Sequence, residues 1–117
     1  MARKKYKVDY PDNGGGRFAD KLSDEDWVVF NNIKRVSDNY SEQVGMVLSM
    51  LIMAGLFHPK LAASLGASFM VGRTIYAKGY TAWGPKGRMY GAPIATISFL
   101  AMTLIAAYNA ALVTVFA

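Results

Sequence analysis

Polar and apolar positions are distributed unequally along the chain. Residues 1 to about 26 mix both charge signs with Pro11 and the run Gly14-Gly15-Gly16, and they show no hydrophobic period. That pattern predicts a polar loop segment. From Trp27 to Phe57 no proline interrupts the chain, and His58-Pro59 then supplies a stop, because a proline disfavours helix at the residue before it. A helix is predicted over about 27–57, roughly 45 Å long at the helical rise. Lys34, Arg35, Asp38 and Glu42 occupy its first part, whereas Gln43 to Phe57 carries no charge, so only the second half suits lipid. The next predicted helix, about 61–81, is apolar except for Arg73 and Lys78 and has the length of a bilayer core. The last, about 89–116, falls within Met89 to Ala117, 29 uncharged residues in succession and the clearest transmembrane signal in the chain.

These elements predict an all-α membrane protein, a helical bundle with three transmembrane helices over 27–117 preceded by the polar segment 1–26. A chain of 117 residues cannot build a soluble core large enough to hide so long an apolar run. Small residues recur at four-residue spacing, at Ser64, Ser68 and Gly72 and again at Ala106 and Ala110, which permits close helix packing in lipid. Charge placement refines the picture. All eight acidic residues lie at or before Glu42, where eight Lys and Arg match them, and the net charge of +5 arises from Lys60, Arg73, Lys78, Lys86 and Arg88. The basic N-terminal segment and the stretch Lys78 to Arg88 are expected in the cytosol, with the C-terminus on the opposite side.

Composition removes several kinds of chemistry. Without cysteine there is no disulfide, thiolate nucleophile or thiolate metal site, and His58 is the only imidazole. Neither a metal nor a nucleic-acid partner is expected. The opening MARKKYKVDY has a basic cluster but no hydrophobic stretch behind it to act as a secretory signal.

Two polar stripes run into the apolar region. Arg35, Asn39 and Glu42, spaced i, i+4 and i+7, fall within an arc of about 60° on one helix face. Arg73, Tyr76 and Tyr80, spaced i, i+3 and i+7, share a face of the second helix. Arg73 follows twelve uncharged residues, and an arginine at a helix centre costs about 2.5–3.5 kcal/mol on insertion scales. One carboxylate, Glu42, cannot neutralise Arg35, Arg73 and Arg88 together, so an anionic ligand is the natural partner. The plainer alternatives are that Arg35 and Glu42 lie on a solvated helix end, that Arg73 snorkels to the headgroups, and that the tyrosines are interfacial aromatics.

The stretches ARKKYKVDYP at 2–11, FNNIKRVSDNYSEQ at 30–43 and HPKLAASLGASFMVGRTIYAKGYTAWGPKGRMYGA at 58–92 resemble the membrane-associated proteins in eicosanoid and glutathione metabolism, the MAPEG family, and within it the type-3 microsomal glutathione transferases. The family motif of Arg, Asn and Glu matches Arg35, Asn39 and Glu42. The motif Gly-Arg-x-x-Tyr-x-x-Gly-Tyr matches Gly72, Arg73, Tyr76, Gly79 and Tyr80. Ser37, Gly45 and Tyr90 stand where the family usually carries histidine, proline and, in the type-3 branch, a second arginine. The resemblance implies a homotrimer that holds glutathione as co-substrate between neighbouring subunits. Arg35, Asn39, Glu42, Arg73, Tyr76 and Tyr80 would be its contacts, and Arg88 would activate its thiol. It implies transfer of glutathione to a lipophilic electrophile, or reduction of a lipid hydroperoxide, in the endoplasmic reticulum or the mitochondrial outer membrane. A non-catalytic lipid-binding scaffold of the same architecture, or an inactive truncated isoform, is the alternative. The family bundle has four helices per subunit, so the chain is expected to lack the first.

Overall fold

The computed structural model describes residues 1–116. It is helical, with no strand among those residues: α1 (Ala2–Tyr6), α2 (Asp24–Phe57), α3 (Pro59–Trp83) and α4 (Ala92–Phe116), with short 3-10 segments at Ala19–Lys21 and Gly84–Tyr90. The three long helices form an elongated body of 61 × 27 × 18 Å in which α3 packs against both α2 and α4.

Helix ends obey local chemistry more closely than hydropathy. Helix α2 starts three residues before Trp27, because Ser23 caps it by accepting from Asp26 N–H at 3.2 Å. Asp24, Glu25 and Asp26 then face the positive end of the helix dipole. It ends at His58, whose N–H still donates to Ala54 C=O at 2.9 Å, and Pro59 opens α3. Helix α3 runs to Trp83, two residues past the expected end. Helix α4 begins at Ala92 and not at Met89: Gly84 sits at φ +64°, Gly84–Tyr90 winds as a 3-10 segment, and Pro93 falls in the first turn. The uncharged run marks where charge stops, not where the helix starts.

The N-terminal segment, expected as plain loop, is folded. Val8, Ala19 and Phe30 make a small core, with Tyr6 edge-on to Phe30 at 6.1 Å. The glycine-rich loop closes around the Asp12 carboxylate. Oδ1 accepts from Gly14 and Gly16 N–H at 2.8 and 2.9 Å, and Oδ2 accepts from Phe18 and Ala19 N–H at 2.8 Å each. Burial pushes the Asp12 carboxyl up, but these four donors outweigh it and bring its pKa down from 3.8 to about 2. Arg3 ties the same loop to α1 by donating to Asp12 C=O at 2.6 Å, and Asn31 of α2 donates to Gly14 C=O at 3.0 Å.

The main core comprises Val47, Ala54, Ala62, Phe69, Ala95 and Met102. Backbone contact fixes how closely α3 meets the Gly84–Tyr90 segment and α4. A Cβ on Gly79 would strike the Gly87 carbonyl, and one on Gly72 would lie 2.6 Å from Ala95 N. The small residues of α3 therefore set the position of the Gly84–Tyr90 segment, including Arg88. The outer surface is oily: Ile52, Leu56, Met70, Ile97, Leu100 and Leu104 are all exposed. Helices α2 and α4 are long and apolar enough to cross a membrane. Helix α3, expected as a third span, has the length, but Lys60, Arg73 and Lys78 lower its apolarity, and it does not stand out by composition.

Candidate functional site

Arg73 organises the polar interior. Its side of α3, with Phe69, Gly72, Tyr76, Gly79 and Tyr80, is the buried face of the helix. The residue is 7% exposed. Nη1 donates to Asn39 Oδ1 of α2 at 2.8 Å. The guanidinium lies 4.5 Å from the Tyr76 ring centroid and 5.7 Å from that of Tyr40, within cation–π range. Nε is buried and has no hydrogen-bond partner among the described residues. A desolvated donor on a cation is unfavourable unless something accepts from it.

Beside Arg73 opens a cleft of about 420 Å³ between α2, α3 and α4, within the usual range for small-molecule sites. Asn39, Arg73, Tyr76 and Arg88 supply its polar end, and Met46, Val47, Phe69 and Phe99 supply apolar wall. Arg88 is brought in from the Gly84–Tyr90 segment, which the glycine contacts hold against α3. Tyr90 points elsewhere: it is 67% exposed and lies against Trp83, ring centroids 5.7 Å apart and planes tilted by 60°.

The other expected contacts do not line this cleft. Arg35 and Glu42 face each other at 4.0 Å with both side chains more than half exposed. Successive positions on α2 advance by 100°, which puts these two on one flank and Asn39 about 40–60° further round, toward α3. One helical stripe thus divides into an exposed ion pair and a buried acceptor. Tyr80 is buried one turn past Tyr76, with ring centroids 5.7 Å apart, as a support for Tyr76 and not as cleft lining. Among the polar cleft residues, Gln43 and Thr96 were missed from the sequence, as were the apolar wall residues. For Gln43 a signal was present: Asn39, Gln43, Met46 and Val47 have the i, i+4, i+7, i+8 spacing of one face, and charge drew attention to Glu42 instead.

A second groove of about 570 Å³ lies between α2 and α3, lined mainly by apolar residues such as Val44, Leu48, Leu51 and Met70. Among the described residues no group of His, Cys, Asp and Glu could hold a metal ion. The arrangement is suited to binding an anion with a nonpolar portion.

A comparison with protein-family models matches the MAPEG family over residues 1–108, nearly the whole chain. The chain belongs to the MAPEG family. Its helical bundle is that of a membrane protein, in which α2 and α4 are long and apolar enough to span. This MAPEG chain carries its buried arginine within the matched region, as it does all the other residues of the cleft.

Proposed function

We propose that this MAPEG protein is a membrane-bound, glutathione-dependent transferase of the type-3 microsomal kind, acting on lipophilic electrophiles or lipid hydroperoxides. The observation that carries the reading is the buried Arg73, held by Asn39 and Tyr76, with an unpartnered Nε beside a cleft that also receives Arg88. Glutathione brings two carboxylates, one ammonium and a thiol. Guanidinium groups bind carboxylates through paired, charge-assisted hydrogen bonds. Arg35 and Glu42 form an exposed ion pair outside the cleft, where a neighbouring copy could reach it, in keeping with a homotrimer. Membrane lipids enclose the bundle and supply the second substrate; the endoplasmic reticulum is the favoured membrane over the mitochondrial outer membrane.

The chemistry is set by the residue types. A free thiol has a pKa of ~8.5, and a nearby guanidinium favours the thiolate. Arg88 supplies that field at the cleft. In conjugation the thiolate sulfur forms a bond to an electrophilic carbon while the bond to the leaving group or epoxide oxygen breaks, and the departing oxygen takes a proton from water. In reduction the thiolate sulfur forms a bond to the outer oxygen of the hydroperoxide while the O–O bond breaks; the leaving alkoxide takes a proton from water to depart as the alcohol, and the sulfenic acid of glutathione remains. A second glutathione then displaces water to give the disulfide. The apolar wall of Met46, Phe69 and Phe99 receives the lipophilic partner.

Equilibrium glutathione binding to detergent-solubilised protein, followed on the same sample by conjugation and hydroperoxide assays, tests the reading. Arg88→Ala is expected to lower kcat at least tenfold with glutathione affinity changed less than about threefold; unchanged turnover removes Arg88 from the chemistry. A lipid-binding scaffold without turnover is the second reading, favoured by the apolar α2–α3 groove. Glutathione binding without either reaction would select it.

A further inference from the structure

The connection from α3 to α4 gathers positive charge and exposed aromatic surface at one corner of the bundle. Gly79 and Gly87 bring two backbones into direct contact, and the lysine before each of them, Lys78 and Lys86, is exposed. A Cβ on Gly79 would lie 3.5 Å from Gly87 Cα. At about 3.8 Å per residue, the Cα atoms of the two lysines are therefore within about 13 Å of each other. Neither lysine takes part in an ion pair among the described residues, and neither does Arg88. No carboxylate follows Glu42 in the sequence, so α3, the connection and α4 offer none to these cations. Trp83 and Tyr90 flank the same segment, 68% and 67% exposed, with their rings against each other.

An indole and a phenol each have an apolar body and a polar tip, and such side chains collect where hydrocarbon meets water. The level along the bundle agrees: α4 is long and apolar enough to span, and it begins at Ala92, two residues after Tyr90. The segment therefore lies where a span meets the headgroups. Two lysines without a protein counter-ion at that depth favour an anion, and the anions found there are the phosphate and carboxylate groups of lipids. We propose that the corner formed by Lys78, Trp83, Lys86 and Tyr90 is a binding surface for anionic phospholipid headgroups, with the lysines on the charged groups and the aromatic pair seated just below them. Basic residues beside a span attract an anionic leaflet by about fivefold per charge. The cytosolic side, where the charge distribution favours this stretch, is also the side on which such lipids are enriched. None of the four residues lines the Arg73 cleft, so the assignment stands whether or not that cleft takes glutathione.

The test uses the full chain with Trp27→Phe, which leaves Trp83 as the sole tryptophan. The protein is reconstituted in phosphatidylcholine vesicles that contain equal shares of either brominated phosphatidylserine or brominated phosphatidylcholine. Quenching of Trp83 fluorescence then gives the relative binding of the two lipids beside the segment. Phosphatidylserine is expected to be favoured at least about fivefold at low ionic strength. That preference should fall below about twofold in about 1 M salt, where the Debye length is about 3 Å. Lys78→Gln with Lys86→Gln is expected to remove the preference at low salt, and Lys78→Glu with Lys86→Glu to reverse it, with helix content by circular dichroism unchanged. The salt comparison keeps both lysines, so it reads the proposal even if a substituted chain fails to fold. Equal quenching by the two lipids in the chain that retains both lysines overturns the proposal, as does a preference that survives high salt or the loss of both lysines. Quenching by neither lipid would place Trp83 outside the membrane interface and overturn it in favour of a water-soluble acidic partner.

Discussion

The bond between Arg73 and Asn39 joins the two motif helices across 34 positions of sequence, and removing each partner should have opposite effects on stability. In Asn39→Ala the charge stays in place, 7% exposed, with Nη1 joining Nε among its unpaired donors. Hydrogen bonds to charged groups contribute about 1.5–3 kcal/mol, and a buried donor left unpaired carries the larger penalty. Arg73→Met removes the charge and both orphaned donors at once, and replacing a buried charge with an apolar side chain of similar volume is often neutral or stabilising. Asn39→Ala is therefore expected to lower unfolding free energy by about 2 kcal/mol in the wild-type background. It should lower it by less than about 0.5 kcal/mol once residue 73 is methionine, which is a coupling of about 1.5 kcal/mol. Reversible unfolding in mixed micelles, monitored by circular dichroism at fixed detergent, gives the four corners of the cycle. Glutathione at a hundred times its Kd should stabilise wild type by about 2.7 kcal/mol and leave Arg73→Met unaffected. An equal Asn39→Ala loss in both backgrounds would refute the reasoning, since the contact would then contribute nothing specific to the guanidinium.

Glycines at two positions should behave in opposite ways. Gly79→Ala puts a methyl group against the Gly87 carbonyl, so folded yield should fall and Arg88 should leave the cleft, whereas Gly45, with open space around its Cβ position inside α2, should gain about 0.5–1 kcal/mol as alanine. Detergent size-exclusion and thermal unfolding measure both. For Asp12 the folded pKa of about 2 lies below the ordinary 3.8. Its contribution is thus present above pH 3.8 and lost as pH falls toward 2. Asp12→Asn turns one acceptor oxygen into a donor facing Phe18 or Gly14 N–H. Limited proteolysis between residues 13 and 22 should then be faster at neutral pH and lose its acid dependence; an unchanged cleavage rate would remove the carboxylate from its organising role.

Helix type, approximate extents and the unusual placing of Arg73 within an apolar helix were readable from sequence because they depend on composition within one helix. An arginine after twelve uncharged residues is conspicuous without any coordinates. Where a helix begins depends on a cap or a turn, so Ser23 moved the start of α2 earlier, and the Gly84–Tyr90 segment with Pro93 moved that of α4 later. The loop around Asp12 was illegible for a different reason: four backbone donors converge on one carboxylate, and nothing in the alternation of polar and apolar residues records where a backbone N–H points.

The composition of the site shows the same division. Spacing at 100° per residue correctly grouped Arg73 with Tyr76, but it spread Arg35, Asn39 and Glu42 over an arc wide enough for a neighbouring helix to separate them. Only packing decides which edge of a stripe turns inward, and α3 turned inward the edge that continues from Asn39 to Gln43. Packing also explains how an exposed arginine reaches a cleft it is not adjacent to in sequence. Gly79 and Gly87 bring two backbones together, so the 3-10 segment lies flat on α3 and delivers Arg88 beside Arg73, fifteen positions away. Two cations that line one cleft, one buried at Arg73 and one exposed at Arg88, make the cleft favourable to an anion. The glycines therefore do more than tighten the bundle: the close approach they permit places a second guanidinium at the mouth of the cleft, which favours the negatively charged thiol substrate proposed for it.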